Sequence, residues 1–152
     1  MNLTLQKTIR NSTFGRGVDK ASATLPATAT EDLFVVSGGR IIVTGLIGEV
    51  TTVIQTQACN AKIISTPTTG TAVDLCAVLN ISAKEVGCLF GITGTFATAM
   101  IGSNAGATNM LATPIVVPIG VIGLNTSATN TGATKWRLVY VALDDAASVV
   151  SA

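Results

Sequence analysis

Histidine is absent from this chain, and with it goes the side chain most often used as a general base near neutral pH and as a metal ligand. Charge is scarce too. Asp, Glu, Lys and Arg make up 11% of the 152 residues, less than half of the ~25% usual in soluble domains. A net charge of +1 offers no overall field for nucleic acid or an anionic membrane. With 48% apolar residues, a free monomer would show an under-charged surface, so a homo-oligomer is expected. The three cysteines, Cys59, Cys76 and Cys88, form no CxxC pair. Their odd number argues against a disulfide framework or a zinc site. They read as small buried apolar side chains from a reducing site of synthesis. Aromatics number only six, few for a carbohydrate groove or a base-stacking platform.

Long hydrophobic runs are missing as well. Residues 86–134 carry no charge, but their longest wholly apolar stretch, Pro114 to Leu124, is interrupted by Pro118, Gly120 and Gly123. It falls well short of the ~20 residues of a spanning helix, so no membrane segment is expected. The N-terminal residues have no sustained apolar core, and no signal peptide is expected.

What is present is a β pattern, organised around residues 132–145. There Trp136, Leu138, Tyr140 and Ala142 fall on one side of a period-two alternation, with Lys135, Arg137, Val139 and Val141 on the other. This strand holds the only Trp and the only Tyr. Aromatic side chains bury large areas, and these two also need a polar partner. Trp136, Leu138 and Tyr140 are therefore expected to anchor the core near its wet edge.

Residues 33–55 alternate β-branched side chains around Gly38-Gly39, which can supply a tight turn and give two or three strands. Asn60 to Thr66 reads as a strand ended by Pro67. Ala72 to Ile81 and Cys88 to Phe96 read as strands, and Ile115 to Leu124 as one strand or a pair broken at Pro118. Ser82 with Glu85 matches a capping box for at most one helical turn. Residues 97–111 are too rich in small residues to assign. Six to nine short strands with turn signals between them predict an all-β, jelly-roll-like β-sandwich over residues 31–152.

Residues 1–30 stand apart. Lys7, Arg10, Arg16 and Lys20 face Asp19 alone in the first twenty residues, a local +3, while the remainder carries five bases against seven acids. With no clear helical period and few apolar residues, this segment is expected to be an extended N-terminal arm, disordered until it docks. Its four cations are assigned to steering towards an acidic partner, and Phe14 to an apolar pocket on it.

Chemistry is hard to find. The adjacent acids Glu31-Asp32 and Asp144-Asp145 sit at strand boundaries, and neighbours on a strand point to opposite faces rather than into one cleft. The glycine-rich residues 87–94 lack the Lys-Ser/Thr and the following helix of a phosphate loop. No catalytic residue, cofactor, metal or small-molecule substrate is expected, and nucleic acid is disfavoured.

Four stretches carry a resemblance: TLPATATEDLFVVSGGRIIVTGLIGEVTT from Thr24 to Thr52, VDLCAVLN from Val73 to Asn80, GITGT from Gly91 to Thr95, and KWRLVYVALDDAASV from Lys135 to Val149. Together they resemble small structural proteins of tailed-bacteriophage virions that decorate or cement the head. The resemblance implies a capsid decoration protein without catalytic residues, made in the bacterial cytoplasm. It also implies a trimer that binds the major capsid protein and grips its neighbours with an arm. A tail-fibre or receptor-binding β-domain of the virion is the alternative. Ala146 replaces the glycine more usual after the terminal Asp pair, so the final turn is expected to differ.

Overall fold

Runs of alternating apolar residues fold into two antiparallel sheets that share one core, in a computed structural model describing residues 2–104 and 106–152. Among the described residues a helix, α1 (Leu3–Thr13), precedes twelve strands. These are β1 (Arg16–Thr24), β2 (Thr30–Ser37), β3 (Ile41–Thr52), β4 (Asn60–Pro67), β5 (Val73–Asp74), β6 (Leu79–Asn80), β7 (Leu89–Gly91), β8 (Ile101–Ser103), β9 (Ile115–Val117), β10 (Gly120–Thr126), β11 (Ala133–Ala142) and β12 (Ser148–Ser151). The first sheet runs β1-β11-β3-β7-β8, with β9 also on β3; the second runs β12-β2-β10-β4-β5, with β6 also on β4. Successive long strands cross from one sheet to the other, so β1, β3 and β11 lie in one layer of the sandwich and β2, β4 and β10 in the other. The short β6, β8 and β9 and the terminal β12 are additions to it.

The anchor strand behaves as its alternation predicts. Trp136, Leu138 and Tyr140 are buried, as is Thr134 on the same face. Both polar tips are satisfied: Trp136 Nε1 donates to Thr134 Oγ1 at 3.0 Å, and Tyr140 Oη accepts from the Val149 backbone N–H at 3.4 Å. Across the sheet, Trp136 and Phe90 flank Gly48 in register. A Cβ on Gly48 would come within 2.7 Å of the indole, so the bare glycine is what lets the two rings stack, with centroids 6.2 Å apart. Two positions depart from the alternation: Val139, on the opposite side, is buried as well, and Ala142 is exposed.

Two bulges explain where simple alternation misleads. Ile122 pairs with Phe34 and Gly123 with Asp32, leaving Leu33 as the extra residue of β2. The extra residue lets Leu33 and Phe34, adjacent in sequence, both bury in the core. On β3 the register jumps from Val43 to Gly45, making Thr44 the extra residue. Inward positions therefore change from Ile41 and Val43 to Leu46, Gly48 and Val50.

Several expectations are corrected. Gly38-Gly39 does not close a hairpin, since β2 and β3 lie in different sheets. Gly38, at φ +76°, turns the chain across the sandwich, and a Cβ there would meet the Ala146 carbonyl oxygen at 2.1 Å. The final turn accepts Ala146 because that residue does not need a positive φ. Residues 72–81 are not one strand but β5 and β6 separated by irregular backbone, and the strand expected over residues 88–96 shortens to β7. Ser82 caps no helix: Ala83 adopts φ +57°, and the Ser82 N–H donates to Asn80 Oδ1.

The largest correction concerns the N-terminal segment, whose described residues 2–30 are not an extended arm. Asn2 caps α1, its Oδ1 accepting from the Leu5 N–H at 2.8 Å. At the other end the Gly15 N–H reaches the Asn11 carbonyl, with Gly15 at φ +109° ending the helix. β1 then pairs with β11 from Arg16↔Tyr140 to Thr24↔Ala133 as part of the first sheet. Isolated from its partner strand this stretch has too few apolar anchors to order, but β11 supplies a ladder and Val18 packs against the core.

Candidate functional site

The outer face of the first sheet is where the cations of α1, β1 and β11 meet apolar side chains. Outward positions of β1, β11 and β3 line up in rows: Gly17 with Val139 and Gly45, Asp19 with Arg137 and Ile47, and Lys135 with Glu49. Opposite charges sit directly across from each other in two of these rows. Arg137 Nη1 donates to both Asp19 carboxylate oxygens at 2.8 and 2.9 Å, and Lys135 Nζ lies 3.1 Å from Glu49 Oε2. All four groups are partly exposed, so each pair is worth ~0–1 kcal/mol and fixes orientation more than stability. Gly17 leaves room for the Arg137 guanidinium, which a Cβ there would meet at 2.3 Å, and the Met110 side chain lies over Gly45 in the same way.

Above this face stands α1. The Thr44 hydroxyl at the β3 bulge lies 2.5 Å from the Phe14 carbonyl oxygen and 3.2 Å from that of Val139, which fixes the end of the helix over β11 and β3. Between helix and sheet is a cavity of about 200 Å³, floored by Ile47, Met110 and Val139 and bordered by Arg10, Phe14 and Arg137. It opens past Arg10, Gly17 and Arg137 into a wider hollow of about 710 Å³ bordered by Lys7, Arg16 and Asp19.

Four of the five residues assigned to partner binding are thus brought together: Lys7, Arg10, Phe14 and Arg16 all border this trough. Lys20 is not part of it. Its ammonium donates to the Ala152 carbonyl oxygen at 2.6 Å, tying the edge of the first sheet to β12, and its charge acts on Glu31. Burial raises the Glu31 pKa from the ordinary carboxylate value, with Lys20 opposing the rise and Asp32 adding to it. The residues missed from sequence are Gly17, Ile47, Met110, Arg137 and Val139. Arg137 and Val139 were visible as the outward set of the anchor strand. Met110 carried no signal, lying in a loop without periodicity.

Asp144 Oδ2 accepts from both the Arg40 N–H and Nε, and Oδ1 accepts from Nη2. The Arg40 side chain, then its backbone N–H, hold the Asp144 carboxyl down at about 2. Cys59, Cys76 and Cys88 are buried. Burial pushes the Cys76 and Cys88 thiols up from their ordinary value, away from the thiolate. Among the described residues no group of three or more Cys, Asp or Glu is placed to hold a metal ion, and no helix is long and apolar enough to cross a membrane.

No family model matches this chain, nor does any curated protein or solved structure.

Proposed function

We propose that this chain is a non-enzymatic structural subunit of a tailed-bacteriophage virion, which decorates and stabilises the capsid by binding the major capsid protein as a homo-oligomer, with a trimer the expected form. The observation that carries this reading is α1 itself. None of its eleven residues is buried, and Leu3, Leu5 and Ile9 are exposed on it. A helix this short is marginal in water on its own, and burying Leu5 and Ile9 against another chain would supply the missing stabilisation. The scarcity of charge and the exposed Val53, Val86, Val116 and Val150 on the sandwich are the composition expected of a protein that meets neighbours on several sides. The resemblance of the four stretches between Thr24 and Val149 to head-decorating proteins supplies the kind of assembly.

The test is the composition of purified heads that lack tails. The protein is expected on them, and deletion of residues 2–13 should lower its retention. Recovery with tails alone would overturn the reading in favour of a tail-fibre or receptor-binding domain. Sedimentation of the isolated protein should give a multiple of 15.4 kDa; a stable monomer at micromolar concentration would remove the homo-oligomer from the proposal.

A further inference from the structure

The trough between α1 and the sheet has a chemistry that selects its occupant. Its deep end is apolar and concave, and cations stand along its rim. Among the described residues Lys7, Arg10 and Arg16 enter no ion pair, and Arg137 already shares its only acid, Asp19. A cation alone in water is unremarkable, but Arg10 and Arg137 beside an apolar cavity of about 200 Å³, with Lys7 and Arg16 bordering the adjoining hollow, match a ligand with the complementary pattern.

We propose that this trough docks a short acidic segment of a partner protein, whose bulky aliphatic or aromatic side chain enters the cavity over Ile47, Met110 and Val139 while flanking carboxylates meet Lys7, Arg10 and Arg137. The proposal deepens the reading above, on which it rests for the identity of the partner as a capsid protein. The cavity and the hollow bordered by Lys7 and Arg16 share Arg10, Gly17 and Arg137 as lining, so an extended chain can follow them with one side chain inserted and carboxylates beside the cations. A flat lipid surface cannot reach the recessed floor. A second copy of this chain is a poor occupant as well. Asp19, Glu49, Asp74 and Asp144 are engaged by cations, and Glu31-Asp32 precede the buried Leu33. Glu85 and Asp145 remain as single acids beside Val86 and near Leu143.

The probe is a capped synthetic hexapeptide of two aspartates, leucine, phenylalanine and two glutamates, with its asparagine and glutamine counterpart as control, followed by the methionine ε-methyl signals of the full chain. The acidic peptide is expected to move the Met110 methyl and leave that of the core residue Met100 in place. Its affinity should fall about tenfold or more between roughly 0.01 and roughly 1 M salt, as the screening length contracts. Lys7→Gln with Arg10→Gln should weaken binding about tenfold, the equivalent of ~1.4 kcal/mol, while far-UV dichroism reports whether α1 persists. Arg137→Gln should give the same direction of change without touching the helix. Equal response to the amide peptide overturns the proposal. So does a Met110 shift that follows protein concentration without peptide, which marks a second copy, or one produced by phosphatidylglycerol vesicles and not by the peptide. If the peptide fails to bind while the protein still sits on tailless heads, the trough is wrong and decoration stands. If it binds as expected while the protein is absent from heads, the acidic docking site stands and its assignment to a capsid partner falls.

Discussion

Replacing Trp136 by alanine should be among the most damaging single changes this fold can suffer, and the structure says why in separable parts. The indole is 2% exposed and stacked against Phe90, so its removal leaves a cavity at the centre of the first sheet's inner face. Large aromatic-to-alanine changes in cores cost ~3–5 kcal/mol, which includes the ~0.5–1.5 kcal/mol of the ring pair. Thr134 Oγ1, itself on a buried residue, also loses the indole N–H donor, adding about 1 kcal/mol. Against a total stability of ~5–15 kcal/mol, that is a large fraction. At about 2–4 °C per kcal/mol for a chain of this size, the melting temperature should fall by roughly 8–24 °C. Trp136→Phe divides the effect: it keeps a ring against Phe90 and gives up chiefly the N–H, so it should cost about 1–2 kcal/mol. Urea unfolding of the three proteins measures both steps, with a shifted midpoint and an unchanged slope as the signature of lost packing. A Trp136→Ala protein that melts within about 2 °C of the parent would refute the assignment of this residue as the anchor.

Gly48→Ala inserts a Cβ within 2.7 Å of the same indole and should cost about 1–3 kcal/mol by overpacking, read by thermal melting. Deleting residues 2–13 should leave the melting temperature nearly unchanged because no residue of α1 is buried, whereas deleting residues 2–24 removes β1 from beside β11 and should prevent folding. Asp144 titrates at about 2 against an ordinary 3.8; a depressed carboxyl stabilises above its unfolded value, so stability should be lost as pH falls from about 4 through about 2, and Asp144→Asn should flatten that limb of the melting curve. Cys59, Cys76 and Cys88 should resist iodoacetamide in the native protein and react on unfolding, as counted by mass; modification of any of them in the folded state would contradict their burial.

Much of the sandwich was legible because burial there follows period two. Trp136, Leu138 and Tyr140 could be read from their phase alone, as could β4 with its terminal Pro67 and the break at Pro118 between β9 and β10. Alternation stops being informative where the backbone inserts a residue. Nothing in residues 31–36 marks Leu33 as the bulge, and Gly38-Gly39 supplies the same positive φ whether it closes a hairpin or crosses between sheets. Partner choice is a long-range property, decided by which strand buries its apolar face, and a local dipeptide does not carry it.

The N-terminal segment failed for the opposite reason. Its local signals were present: Asn2 as a cap, no Gly or Pro from Leu3 to Phe14, Leu5 and Ile9 four apart, and Gly15 as a stop. They were outweighed by the Thr and Ser content of the helix, which is unfavourable to helix interiors. In the structure three of those hydroxyls turn back onto the helix: Thr8 donates to the Thr4 carbonyl, and Ser12 and Thr13 both donate to that of Ile9. The helix is then locally self-satisfied yet packs almost nothing, and this combination links its sequence to the trough. A helix selected for core packing would bury Leu5 and Ile9. This one spends its capping and hydroxyl contacts on holding its shape while Arg10 borders the apolar floor of Ile47, Met110 and Val139 and Lys7 the adjoining hollow. Polar replacement of Leu5 and Ile9 should therefore leave folding intact and act only on what the protein holds.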